Sequence, residues 1–166
     1  LLVGHMLSSN DRISIGGKSP LTGGVKEANA GGTTGLQMTL LGIKALIIED
    51  QPAESGFWVL HLSLDGAKWE RAEGLVGLGV YESASKLVEK YGEKVAIALI
   101  GPAGEKKLLA AGIQNLDKER VPSRIAARGG LGAVMGVKGL KAIVFDAKGG
   151  QKPSLANPEA YKSAQK

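Results

Sequence analysis

The chain of 166 residues has no cysteine, six prolines and only seven aromatic side chains (two Phe, two Trp, three Tyr). Without thiols it holds no disulfide framework, no thiolate zinc site and no iron–sulfur cluster ligated by its own cysteines. A long apolar run is also lacking. The longest uncharged stretch, Ala28 to Ile43, is broken by glycines and by Asn, Thr and Gln, so it is no membrane span. The opening Leu1-Leu2-Val3 has no basic segment before it and runs into Ser8-Ser9-Asn10-Asp11, unlike a secretory signal, so a cytoplasmic setting is expected. It reads like the middle of a strand, as if the chain were a piece of something larger.

Glycine is abundant: 25 residues, about twice the usual share of ~7%. Yet 43% of residues are hydrophobic and the mean hydropathy is +0.02, which is no disordered composition, so the glycines belong inside a folded domain. At this size about 69% of the unfolded surface can be buried, enough for a real core. The net charge of +5 favours anionic partners, but Lys and Arg are scattered and not interleaved with aromatics, so nucleic acid is not expected.

Read for periodicity, the chain is mixed α+β. A short strand at Ile13 and Ile15 breaks at Gly16-Gly17 and Pro20. Leu36, Leu40 and Leu41 keep helical spacing, and Lys44 to Glu49 reads as a short buried strand. Phe57 to Leu64 alternates, with Trp58, Leu60 and Leu62 on one face and Val59 and His61 on the other. Asp65-Gly66 then predicts a hairpin with a type I′ turn. Ala84, Leu87, Val88 and Tyr91 place a helix over 82–91 that stops at Gly92. Val95 to Ile100 is a buried strand ending at GPAGE, and residues 147–166, rich in Lys, Gly, Gln, Pro and Ser, read as a linker.

An internal repeat is the most informative pattern. Gly31 to Asp50 and Gly129 to Asp146 share a Gly-Gly start, a third glycine, a short apolar helix, a Gly-apolar-Lys-Ala step and an apolar strand ending in an acid. Duplicated halves related by a pseudo-two-fold axis would explain it. A Gly-Gly-x-x-Gly lead-in to a helix leaves N–H groups bare and lets a phosphate approach them. Two such turns suit a ligand with two phosphates. The same glycines can equally serve tight packing or positive φ. Arg12 and Lys18 precede the first turn, while Arg124 and Arg128 flank the second, so the candidate binding residues are these four with Gly31, Gly32, Gly129 and Gly130. Neither turn is a P-loop or a dinucleotide fingerprint. His5 and His61 lack a second ligand at metal spacing, and Trp58 and Trp69 read as core or hairpin residues.

The segments DRISIGGKSPLTGGVKEANAGG, GPAGE and above all ARGGLGAVMGVKGLKAI resemble the N-terminal domain of the tungsten-containing aldehyde ferredoxin oxidoreductase family, over residues 1 to 146. The resemblance implies a β-sheet platform in two pseudo-two-fold-related halves, bearing a tungsten or molybdenum bis-pyranopterin, with the domain's first strands lying outside this sequence. Residues 147–166 would lead to C-terminal domains. By position, Arg12 would contact the cofactor. Asn29 and Gly31 would belong to a phosphate and Mg2+ site, which Arg124 and the backbone carbonyl of Ile125 would complete; Ile125 stands where the family has a small residue. Partners implied are the C-terminal domains of the same enzyme, ferredoxin or another electron carrier, and a second copy in a homodimer. The [4Fe-4S] cluster and the acid/base groups would come from the other domains, and the whole enzyme would oxidise an aldehyde-like substrate. The alternative from the turns alone is a non-enzymatic phosphate- or nucleotide-binding module.

Overall fold

The computed structural model describes residues 3–5, 7 and 10–165; the triplet Leu1-Leu2-Val3 lies partly outside the described residues. The chain forms a two-stranded hairpin and a six-stranded mixed sheet. β1 (Ile13–Lys18) and β2 (Val25–Ala30) pair antiparallel, Ile13 opposite Ala30 and Lys18 opposite Val25. Alternation sorts their side chains: Ile13, Ile15, Ala28 and Ala30 join the core, while Ser14, Gly16, Lys18, Val25, Glu27 and Asn29 form an outer face open to solvent. At its tip Ser19, 1% exposed, accepts the N–H groups of Leu21 and Thr22 and so closes the SPLTG turn.

α1 (Thr34–Leu40) follows β2, and then β3 (Trp58–Ser63) and β4 (Gly66–Arg71) form a hairpin. Next come α2 (Val80–Tyr91), β5 (Ala96–Leu99) and the short α3 (Pro102–Glu105). β6 (Ile113–Asn115), β7 (Arg124–Ala126), α4 (Leu131–Val137), β8 (Leu140–Phe145) and α5 (Pro158–Ala164) complete the chain. The six-stranded sheet runs β4-β3-β8-β5-β6-β7, parallel only between β3 and β8. β5 is buried on both faces, which is why AIAL is uninterruptedly apolar: Ala96 and Ala98 face one core, Ile97 and Leu99 the other. α2 covers the second face through Ala84 and Leu87. The first face is covered by Leu131 and Met135 of α4, by the β1–β2 hairpin and by Met38 of α1.

Three expectations change. The hairpin register makes Leu64 and Asp65 the loop residues; both keep negative φ, which excludes type I′, and Gly66 carries the positive φ of 116°. α2 begins at Val80, capped by the extended backbone of Gly79. Lys44 to Glu49 is not a strand. Leu46 and Ile48 pack on the core, but no strand pairs with the segment among the described residues, and Ile47 is 79% exposed. Its repeat counterpart, β8, lies between β3 and β5. The repeat is therefore expressed in two seven-residue helices but not in the strands after them. Past Phe145 the chain folds back: Ala147 donates its N–H to Gln37 Oε1 at 3.0 Å, and Asn157 caps α5.

α4 is placed by glycine. A Cβ at Gly136 would overlap the Gly104 carbonyl of α3, and one at Gly132 would overlap the backbone of Ala111 and Gly112. Gly132 also donates to the Ala111 carbonyl at 2.9 Å. Gly136→Ala is expected to destabilise the intact polypeptide by about 1–3 kcal/mol, as overpacking of a close contact does; denaturant unfolding measures it, and an unchanged midpoint would contradict this packing.

Candidate functional site

The hairpin register divides the predicted residues into two groups. Continued by one residue, it sets Arg12 opposite Gly31, and the Arg12 carbonyl lies 3.3 Å from where a Cβ on Gly35 would stand. Asn29 is two residues before Gly31 on the outer face. Gly32, at φ 108°, abuts the Leu116 carbonyl, and the Arg124 Cγ lies 3.5 Å from its Cβ position. Arg12, Asn29, Gly31, Gly32 and Arg124 thus gather around the first turn. Ile125 adjoins them on β7, paired with Gln114, its side chain 48% exposed.

The second group sits at the other end of β2. Gly129, at φ 75°, lies against the aliphatic stem of Lys26, whose Cβ is 2.9 Å from the added-Cβ position; Ser19 Oγ is 3.8 Å away. Gly130, at φ 67°, is closed in by the Leu109 carbonyl and Pro20. Arg128 adjoins this turn in sequence, Lys18 precedes the Ser19 that lies near it, and both are exposed. From Lys26 to Gly31 is about 17 Å at the rise of a strand. One glycine turn therefore stands at each end of the hairpin. Lys26 was missed in the sequence, since only the fold brings it to Gly129.

Each turn is anchored differently. At the first, Thr33 N–H donates to the Leu116 carbonyl at 2.9 Å, and the buried Thr34 hydroxyl donates to Asn115 Oδ1 at 3.1 Å. Asn115, 0% exposed, in turn donates to the carbonyls of Ile113 and Arg124, both at 3.4 Å, and so ties β7 to the turn. At the second, Gly129, Gly130 and Gly132 are required by positive φ or by close backbone. Among the described residues no protein acceptor is recorded for the N–H groups of Gly31, Gly32, Gly129 and Gly130. The helices behind the turns have seven residues each, so their dipoles add little there.

Gly31 and Gly16 have no reason inside the fold, a freedom they share with Gly24 and Gly79 elsewhere on the surface. At Gly31 a Cβ would meet open space and φ is ordinary; at Gly16, on the outer face of β1, the nearest neighbour is an unstrained 3.8 Å away. Neither backbone geometry nor packing forbids a side chain there. Around them the polar groups are oriented: Glu27 accepts the Ser14 hydroxyl at 2.6 Å and Asn29 Nδ2 at 2.8 Å, which hold its carboxyl below the usual range and leave Asn29 Oδ1 for an outside partner. No group of three or more His, Cys, Asp or Glu suited to a metal occurs among the described residues. His61 instead stacks on Tyr91 with ring centroids 4.7 Å apart, Trp58 lies under Arg71 at 4.2 Å, and Trp69 is half exposed on β4.

A mixed α+β platform with an open, glycine-bearing hairpin is the class these features define. The chain belongs to the family described as aldehyde ferredoxin oxidoreductase, N-terminal domain, which matches residues 1–147. Tungsten-containing aldehyde ferredoxin oxidoreductase of Pyrococcus abyssi is 39% identical over 144 residues, 86% of this chain and 23% of that protein. The protein of the same description from Thermococcus kodakarensis is 33% identical over 161 residues, 96% of this chain and 25% of its own length. Among solved structures, the active site complex BamBC of benzoyl coenzyme A reductase with 1,5-dienoyl-CoA superposes with a TM-score of 0.86 at 29% identity, covering 98% of this chain and 23% of that one. The chain thus spans about a quarter of the proteins it matches, and other domains of the same enzyme are implied. No helix among the described residues is long and apolar enough to cross a membrane.

The loop before Arg124 carries a pH dependence. Asp117 accepts the Ser123 hydroxyl at 2.6 Å and the N–H groups of Val121 and Glu119, which hold its carboxyl below the usual value, the Ser123 bond most strongly. A carboxyl lowered by folding contributes stability that is present above its unfolded value and lost as pH falls through the folded one. Amides 119 and 121 are therefore expected to lose exchange protection below about pH 4, and Asp117→Asn to remove that dependence. Equal protection of the wild type at pH 3 and pH 6 would contradict the cap.

Proposed function

We propose that this chain is the platform on which a longer oxidoreductase holds a tungsten or molybdenum bis-pyranopterin by its phosphates. The observation that carries the reading is two glycines that the fold does not need on one open face: Gly31, between Arg12 and Arg124, and Gly16, four residue pairs farther along the hairpin. Their lack of a side chain acquires a reason if a flat group lies against the hairpin. The residues fit such a group, with bare N–H groups at both turns and exposed Arg12 and Arg124 at the first.

In this reading Arg12 and Arg124 bind phosphate oxygens through charge-assisted bonds. Gly31 and Gly32 offer N–H groups at the first turn, Gly129 and Gly130 at the second, with Lys18, Lys26 and Arg128 supplying positive charge. Asn29 Oδ1 and the Ile125 carbonyl are oxygen donors of the kind Mg2+ takes, and a cation there offsets phosphate repulsion. When bound, the metal–pterin group supplies two-electron redox chemistry on an aldehyde-like substrate. Electrons would leave through a [4Fe-4S] cluster to ferredoxin or another carrier; since these 166 residues have no cysteine, its cysteine ligands belong to other domains.

Metal and pterin analysis of the full-length protein, purified anaerobically, tests the reading. Tungsten or molybdenum with pterin supports it; magnesium alone would leave a phosphate-binding module. Gly31→Val separates binding from folding: stability is expected to stay within about 0.5 kcal/mol, because the added atoms meet open space, while cofactor content falls at least tenfold. Arg12→Ala and Arg124→Ala should each lower occupancy about 10-fold or more, the worth of a charged hydrogen bond of roughly 1.5–3 kcal/mol. Full cofactor in all three variants would overturn the assignment.

A further inference from the structure

The second turn rests on α4, and α4 rests on α3 and the 108–112 backbone, so whatever fixes α3 fixes the turn. Lys141 does so. It sits in β8 at 0% exposure, at the point where the register with β3 slips: Trp58 pairs with Leu140 and Val59 with Ala142, leaving Lys141 without a partner across that ladder. Its ammonium meets the Glu105 carboxylate at the end of α3 and lies 3.4 Å from the Leu78 carbonyl. The other Glu105 oxygen accepts the Gly77 N–H at 2.8 Å. One ion pair therefore joins β8, α3 and the loop before α2.

Burying two charges is costly, and a well-packed apolar pair would be as stable or more so. Lys44, at the equivalent position of the first copy, is exposed in a segment that forms no strand, so the buried lysine belongs to the second copy alone. The copies also differ in the support of the turn. The first is held by hydrogen bonds from Thr33 and Thr34 to β6 and its flank; the second has no side-chain hydrogen bond among the described residues and rests on the Lys26 stem, Pro20 and the backbone of α3 and of the chain that follows it. We infer that Glu105 and Lys141 are positioning residues that hold the Gly129–Gly130 turn in binding geometry through α3 and α4. This rests on the proposed role of that turn in holding phosphate.

The test uses the full-length protein with Glu105→Gln/Lys141→Met, which removes both charges and leaves no unpaired buried charge, and with Glu105→Gln alone, which keeps the carbonyl for Gly77 but leaves the Lys141 ammonium without a counter-charge and is the harsher change. Amide exchange is followed in the cofactor-free protein, and cofactor content is measured separately. Expected is exchange at 129–132 faster by about 10-fold or more, with β5 and β8 amides unchanged, since local opening is separable from global opening. Cofactor content should fall with it. Unchanged exchange at 129–132, or acceleration of β5, β8 and the turn together in both variants, would overturn the inference. Faster exchange at the turn with full cofactor content keeps the positioning role and instead contradicts phosphate binding at this turn.

Discussion

Backbone packed directly on backbone is the constraint from which the rest of the molecule follows. Gly132 and Gly136 let α4 approach Gly104 and the 111–112 carbonyls more closely than any side chain allows. That approach presses Leu131 and Met135 onto the sheet, where they meet Ala96, Ala98 and Phe145 in the first core. It also sets where the chain enters α4, and with it the turn against which Lys26 and Ser19 pack. A motif of glycines at helical spacing is thus first a packing device, and only through that a means of presenting N–H groups.

The glycines consequently divide by cause. Gly129, Gly130, Gly132 and Gly136 are required by conformation or contact, so their presence alone does not argue for a ligand. Gly31 and Gly16 are required by neither, and it is these less conspicuous positions that point outward. The outer face they occupy is ordered by the Ser14–Glu27–Asn29 bonds, which orient polar groups before any partner arrives. Pre-oriented groups cost less to engage, which is what the proposed binding face needs.

Much of the architecture was legible from local pattern. Alternation in β3, the continuous apolar run of β5 and the 3.6 period of α2 are properties of adjacent residues, and each appears where the period places it. Lys44 to Glu49 had the composition of a strand, but a strand also needs a ladder partner, and periodicity says nothing about partners. The hairpin turn was misassigned because Asp-Gly fits two registers and only the pairing of Ser63 with Gly66 selects one. Of the site, the family motifs joined Asn29, Gly31, Arg124 and Ile125, whereas chain order alone put Lys18 with the first turn and Arg124 with the second, and the fold exchanges the two. Lys26, Asn115 and the Glu105–Lys141 pair were not legible, because their partners lie far along the chain: Lys26 meets Gly129, Asn115 meets Thr34, and Glu105 meets a lysine 36 positions later.

Membership of the aldehyde ferredoxin oxidoreductase N-terminal domain family and the open hairpin face support the proposal that this surface carries the cofactor. The most direct measurement compares amide exchange of the full-length protein with and without its metal–pterin group. The account predicts slower exchange on loading at Gly31, Gly32, Gly129 and Gly130, with the α2 amides on the opposite face of the sheet unchanged. Equal exchange at both glycine turns in a protein shown to be loaded would contradict it.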